Sequence, residues 1–451
     1  MRRNVRVAVA LFAAALPVGL TACSSDSSGG GNGPVTLNYA LWDSSQLPAY
    51  QACATAFTKA NPDIKIKITQ TAWGQYWTNL TTEMTAGNAP DVFTDHVAYY
   101  PNLVKNNQIL DISQQVAADH VDLSQYQSGL ADAWVKDGKR YGLPKDWDTE
   151  AIAYNTTLAA KAGYTAADLA KLTWNPDDGG TFEKFIAKMT VDTSGRNGLD
   201  PKFDKKHVKT YGIELTYDDG STGQSSWGNL AAEAGFTFLD KNPFGTKYHY
   251  DDPALAKTID WMASLAKKGY APAYDKNSSL GPDAVLNAGK AATTMTGSWN
   301  INTYLGSTAT QKFAFAPLPV GPTGRKTFIN GLSDAIYAGT KHPDQAWQWV
   351  KFLGSTGCQD IIAAKGVVFP AIKTDSAKAL ATHQKAGQDV KVFTDEAAAS
   401  GGTFTYPITD HADQVTQEVQ TDLERVWLGQ SDATAALKKA QKAVDGYFSQ
   451  P

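Results

Sequence analysis

Residues 64–69 read IKIKIT, a strict alternation of apolar and mostly charged side chains within a regular succession of strand-like and helix-like segments. Side chains along a strand point alternately to its two faces, so this pattern buries the isoleucines and keeps the lysines in water. Before it, Thr36 to Leu41 reads as a strand. Tyr50, Cys53, Ala54 and Phe57 then recur at helical spacing up to the stop at Asn61-Pro62. After it, Trp73, Tyr76, Trp77, Leu80 and Met84 mark a second helix ended by Gly87. "DVFT" (Asp91 to Thr94) reads as a strand and Tyr100 to Lys105 as a helix. Such alternation predicts α/β layers on a largely parallel sheet. The pattern returns at "YGIEL" from Tyr211 and at "FAFAPLP" from Phe313. From Asp375 the chain reads mostly helical, with Val415, Val419, Leu423 and Val426 on one face. At about 100–200 residues per domain, 451 residues suit two α/β lobes with several crossings between them.

The first residues follow other rules. Arg2, Arg3 and Arg6 precede an apolar run from Val7 to Leu20. That run is shorter than the ~20 apolar residues a bilayer span needs, and it has the layout of a secretory signal. Leu20-Thr21-Ala22-Cys23 resembles the lipobox of bacterial lipoproteins, which implies cleavage before Cys23 and a lipid on its thiol. An ordinary signal with an incidental Cys23 is the alternative. Ser24 to Gly33 is rich in glycine and serine and behaves as a random coil. Residues 1–22 are thus expected to be a signal peptide and 23–34 a lipidated flexible tether.

Without residues 1–22, three arginines fewer leave 38 basic against 45 acidic residues, a formal charge of −7. Nucleic acid binding wants a basic patch, so nucleic acid is not an expected partner. Two cysteines remain, Cys53 and Cys358. Outside the cytoplasm they are expected to pair as a disulfide, two buried free thiols being the alternative. The seven histidines are scattered, and neither H-E-x-x-H nor C-x-x-C occurs, so no metal cofactor is expected. "GPTGRKT" (Gly321 to Thr327) misses the phosphate-loop spacing, and no G-x-S-x-G is present. "VDTSGRNGLDPKFD" (Val191 to Asp204) is rich in oxygen ligands but misses the EF-hand spacing, leaving a calcium loop or a polar surface loop.

"DWDTE" brings Asp146, Asp148 and Glu150 close together. Glycosidases use paired carboxylates, but such a pair normally comes from separate elements on either side of the bond. The twelve tryptophans say more. Several stand beside polar residues at expected strand ends: Trp42-Asp43, Trp147-Asp148, Trp227 and Trp299-Asn300. A sugar ring needs flat aromatic surface for its C–H faces and carboxylates or amides for its hydroxyls. A place in the core is the alternative for each tryptophan, most of all for Trp73.

Several stretches resemble the sugar-binding lipoproteins of ABC importers, the broad family of maltose-binding protein. They are "TAGNAPDVF" (Thr85 to Phe93), "GKRYGLPKDWDTEAIAYNTTL" (Gly138 to Leu158), "GKAATTMTGSW" (Gly289 to Trp299), Phe313 to Leu353 with its Ala-Trp-x-x-x-x-Phe-Leu end, and "GVVFPA" (Gly366 to Ala371). The resemblance implies an α/β, two-lobed periplasmic-binding-protein-like fold of type II, with a hinge and a ligand cleft between the lobes. It implies lobe 1 from 35–145 and 318–372, and lobe 2 from 146–317 and 373–451. By position, Asp148 matches a carboxylate that accepts sugar hydroxyls, and Trp299 an aromatic platform. Trp42 and Gln46 follow the first strand, where family members place ligand contacts. Asp95 and His96 follow the third, although maltose-binding relatives carry an aromatic at the place of Asp95. Trp227, in the glycine- and serine-rich "GSTGQSSWGN", is expected to face the cleft, and Asn330 completes the set. The implied protein is a monomeric, lipid-anchored binding protein at the outer face of the cell membrane. It carries a carbohydrate to permease subunits, without catalysis and without a cofactor. The rivals are a surface glycoside hydrolase using Asp148 with Asp95 or Glu150, the same fold holding a non-sugar solute, and a sugar sensor.

Overall fold

In the computed structural model, residues 34–277 and 281–449 are described. The expected signal peptide, the lipidation at Cys23 and all but the last residue of the tether fall outside them.

The first lobe grows from the alternating segment. β1 (Val35–Leu41), α1 (Leu47–Ala60), β2 (Ile64–Gln70), α2 (Trp73–Ala86) and β3 (Val92–His96) follow one another without interruption. β1 lies at the centre, parallel to β2 from Val35↔Ile64 to Leu41↔Gln70 and parallel to β3 at Tyr39↔Val92. The helices lie against this sheet because their apolar residues share one face: Tyr50, Cys53, Ala54 and Phe57 of α1 and Tyr76, Leu80 and Met84 of α2 are buried. Asn61 ends α1, its side-chain amide donating to the Phe57 carbonyl at 3.0 Å. Gly87 ends α2 at φ 74°, a left-handed conformation that favours glycine. A fourth strand, Leu332–Ile336, returns antiparallel on β3. The expectation of a largely parallel arrangement therefore holds in this lobe only.

The second lobe is built on a three-stranded antiparallel sheet, Thr293–Gly297 and Phe313–Ala316 flanking Glu150–Asn155. All six residues of its central strand are buried, since helices cover both faces. The "YGIEL" segment forms no regular strand. It runs beside this sheet through a bridge at Tyr211↔Ala291 and a bond from Glu214 N–H to the Thr293 carbonyl. The core takes Phe182, Phe185, Trp227, Ile259 and Met262, closed off by the C-terminal helices Ala412–Trp427 and Ala433–Phe448. Val415, Val419, Leu423 and Val426 all face inward from the first of these.

Three crossings join the lobes side by side. Asp146–Trp147 pairs with Phe369–Pro370, and on the other side Asp148 and Asn330 exchange backbone bonds of 2.9 and 3.3 Å. The return crossing thus falls at Asn330, a correction to the expected boundary at residue 318. Residues 327–329 pair with 403–405, which keeps Leu318 and Phe328 in the second core, Phe328 lying 4.3 Å from Phe404. Beside the crossings, Lys145 is buried and spends its three N–H groups on Tyr39, Thr94 and Asp334 (2.9, 2.9 and 3.1 Å). Its ammonium also sits 4.1 Å from the Tyr50 ring centre. A further interlobe contact comes from Ile408, buried in a first-lobe cluster, and from the ion pair of Asp410 with Lys136.

Cys53 and Cys358 are joined by a disulfide with a Cα–Cα distance of 5.2 Å, tying α1 to the helix Thr356–Lys365. In the loop from Val191 to Asp204, Asp192 accepts the N–H groups of Ser194, Arg196 and Asp204 together with Arg196 Nε. Its oxygens organise the turn itself, and no group of three or more metal-binding side chains occurs among the described residues. No described helix is long and apolar enough to cross a membrane.

Candidate ligand-binding cleft

A cavity of about 530 Å³ opens between the lobes, with walls from both and the crossings as its floor. The first-lobe wall comes from the carboxyl ends of three parallel strands: Trp42, Asp43 and Gln46 after β1, Gln70 and Trp73 at the end of β2, His96 and Tyr99 at the end of β3. In open α/β sheets this edge is where ligands sit, because loops diverge there. The floor carries Asp146, Asp148 and Asn330, and the second lobe adds Gln224, Trp299, Asn300 and Tyr406. A second hollow, about 600 Å³, lies on the outer face of the first lobe around Trp347 and Phe352. It is wider open and is lined by one lobe alone.

Aromatic rings hold each other in place on the first wall. Trp42 meets Trp73 edge-on at 5.0 Å and Tyr76 at 5.1 Å, and Trp77 stacks on Tyr99 at 3.8 Å. Trp73 is 44% exposed and so presents indole surface to the cavity. Trp299 is supported differently. Its ring folds back over Gly297, where an added Cβ would lie 1.8 Å from the six-membered ring. Only glycine leaves that space, which accounts locally for "GSW".

The polar groups are also tied. Asp43 accepts from Ser45 and from Gln46 Nε2 at 2.8 Å, so Gln46 reaches the cavity already oriented. His96 accepts the Ala98 N–H at Nδ1, and its Nε2 lies 2.8 Å from the Asn330 amide. Burial pulls His96 down to about 3, leaving it neutral. Its ring meets Tyr406 of the second lobe at 4.9 Å. Gln224 Nε2 donates to both Asp148 (3.1 Å) and Glu150 (2.7 Å). Burial, followed by repulsion from Glu150 and Asp146, raises Asp148 well above the usual carboxylate range. Burial likewise pushes Asp146 up to about 7 and Glu150 up to about 8.

Of the eight residues anticipated from sequence, Trp42, Gln46, His96, Asp148, Trp299 and Asn330 line this cavity. Two do not. Asp95 alternates with His96 on β3, so it turns into the first lobe, fully buried, with one oxygen on the His96 N–H. Trp227 begins the helix Trp227–Glu233 and is 1% exposed, covered by Gly223 and packed on Phe238 at 5.9 Å. It belongs to the second core. The carboxylate pairs of the hydrolase alternative do not face each other across the cavity either. Asp95 and Glu150 are fully buried and neither lines it. Trp73, Tyr99, Gln224 and Tyr406 went unanticipated. Trp73 and Tyr99 follow strands as Trp42 does, and strand-end position alone would have found them.

Residues 52–394 match the family described as bacterial extracellular solute-binding protein, and this chain belongs to that family. It is 26% identical over 351 residues to the maltodextrin-binding protein MdxE of Bacillus subtilis, covering 76% of this chain and 75% of that protein. It is 24% identical over 463 residues to the diacetylchitobiose-binding protein DasA of Streptomyces coelicolor, covering 100% and 98%. Among solved structures, an ABC substrate-binding protein from Listeria monocytogenes in complex with cycloalternan superposes with a TM-score of 0.78 at 18% identity. That match covers 92% of this chain and 99% of the other. UspC of M. tuberculosis gives 0.69 at 25% identity, covering 91% and 100%. The fold is the two-lobed one of these binding proteins.

Proposed function

We propose that this chain captures an oligosaccharide in the interlobe cleft and delivers it, unaltered, to the permease of an ABC importer. In this reading it works as a monomer outside the cell membrane, held by a lipid on Cys23, with residues 24–34 as the tether. The observation that carries the reading is the facing of indole surfaces, Trp42, Trp73 and Trp299, with hydrogen-bonding groups, Gln46, Asp148 and Asn330, across one cavity. Stacked rings hold the apolar faces of a sugar while carboxylates and amides hold its hydroxyls. The similar proteins named for maltodextrin, diacetylchitobiose and cycloalternan add support, since all three are oligosaccharides.

A sugar touching both walls binds the closed arrangement better than the open one, and closure follows from that difference alone. The three adjacent crossings, paired antiparallel, supply a hinge, and a permease can read the closed shape. The test is a thermal-shift screen over mono- and oligosaccharides followed by calorimetry. Ligand at 100 times its dissociation constant adds about 2.7 kcal/mol of stability. The expected result is one-to-one binding with the sugar recovered intact. Hydrolysed product, or no shift with any sugar, overturns the reading.

A further inference from the structure

The cavity is charged on one side of the ledger only. Asp43, Asp146, Asp148, Asp218 and Asp219 line it, and among the described residues no lysine or arginine does. Ordinary partners account for two of them. Asp43 holds Ser45 and Gln46, and Asp219 takes the Ser225 N–H and the Ser226 hydroxyl. The floor is different. Asp146 gives one oxygen to the Leu332 N–H at 3.0 Å, and its other oxygen is buried without a hydrogen-bond partner among the described residues, on a side chain 3% exposed. Asp148 stands two residues along the same crossing, with Glu150 behind it sharing Gln224. The nearby ammonium of Lys145 has no N–H left for them, and His96 is neutral.

Resting on the carbohydrate reading, we infer that the preferred ligand is an amino-bearing glycan whose protonated amine sits against Asp146 and Asp148, with indole surface beside it. A hydroxyl satisfies an acceptor but gives these carboxyls, which burial holds toward the protonated form, no cation to ionise against. An ammonium does both, through a charge-assisted bond roughly twice as strong as a neutral one. The faces of Trp42, Trp73 and Trp299 favour a cation as well as sugar C–H groups. Sugar phosphates and uronic acids meet only like charge, which opposes their entry.

Calorimetry on matched α- and β-linked oligosaccharides, each as hydroxyl, N-acetyl, free-amine and carboxylate versions, tests this. The amine version should bind at least tenfold more tightly than its hydroxyl and acetyl counterparts, and the carboxylate version should not bind. Asp148→Asn should cut that preference to about threefold or less, weakening the amine version more than the hydroxyl and acetyl versions. Asp146→Asn, whose amide oxygen can still accept the Leu332 N–H, provides the same reading should the first variant not fold. Neutral sugars binding as tightly as amines would overturn the inference and leave the carbohydrate reading standing. Absence of heat from every version would remove both. An amine preference that survives both substitutions overturns the assignment to these two carboxylates.

Discussion

Trp227 and Trp73 exchange the roles their sequence contexts imply, and truncating each separates core from cleft. Trp227 is 1% exposed in the second-lobe core, against Phe238, and its indole N–H has no hydrogen-bond partner among the described residues. Burying an indole removes about 200 Å² from water, worth about 5 kcal/mol at ~25 cal/mol per Å². Large-to-small core changes of this kind measure about 3–5 kcal/mol, so Trp227→Ala should lower unfolding free energy by that amount. Trp73 is 44% exposed, and its main contacts are edges of Trp42 and Trp77. Trp73→Ala should cost about 1 kcal/mol or less, since most of its lost area was already wet. Its loss should appear instead in binding, as a dissociation constant at least tenfold weaker. Urea unfolding and calorimetric titration of both variants are the assays. The folded fraction of Trp227→Ala should bind sugar within about threefold of the parent. A parental urea midpoint for Trp227→Ala, or parental affinity for Trp73→Ala, refutes the division into core and cleft.

Lys145→Met leaves Asp334 buried without its cation and should cost about 3–5 kcal/mol in urea unfolding. Replacing Cys53 and Cys358 together by alanine opens a closure spanning 305 residues and should cost about 2–5 kcal/mol, with sugar affinity unchanged by calorimetry. Asp146 and Glu150 lie at about 7 and about 8 in the folded chain, above their ordinary 3.8 and 4.5. The folded chain therefore holds protons that the unfolded chain releases. Their contribution is complete below about pH 4 and is lost as pH rises through 7 to 8. Unfolding free energy measured from pH 4 to 9 should fall less steeply in Glu150→Gln than in the parent, whereas an unchanged slope would contradict the assignment.

The first lobe was legible because its physics is local. Alternation in IKIKIT, helical spacing in Tyr50 to Phe57 and the stop at Asn61-Pro62 each set one element without reference to distant chain. The antiparallel sheet of the second lobe was not, because its three strands are contributed from residues 150, 293 and 313 and pair only through the tertiary fold. The boundary at Asn330 was hidden for the same reason, since the pairing of 327–329 with 403–405 decides it. Within the cleft, residues next to strand ends and crossings could be anticipated. Asp95 could not be separated from His96, because a strand places neighbours on opposite faces and the register chooses between them. Gln224 and Tyr406 arrive from irregular segments whose course depends on the packed second lobe.

The claim beneath all of this is that ligand joins the two walls and draws them together. Small-angle X-ray scattering on the empty protein, and on protein saturated with a sugar whose binding calorimetry has established, measures that directly. A smaller radius of gyration in the saturated sample is the predicted result. An unchanged radius at proven saturation contradicts capture between closing lobes.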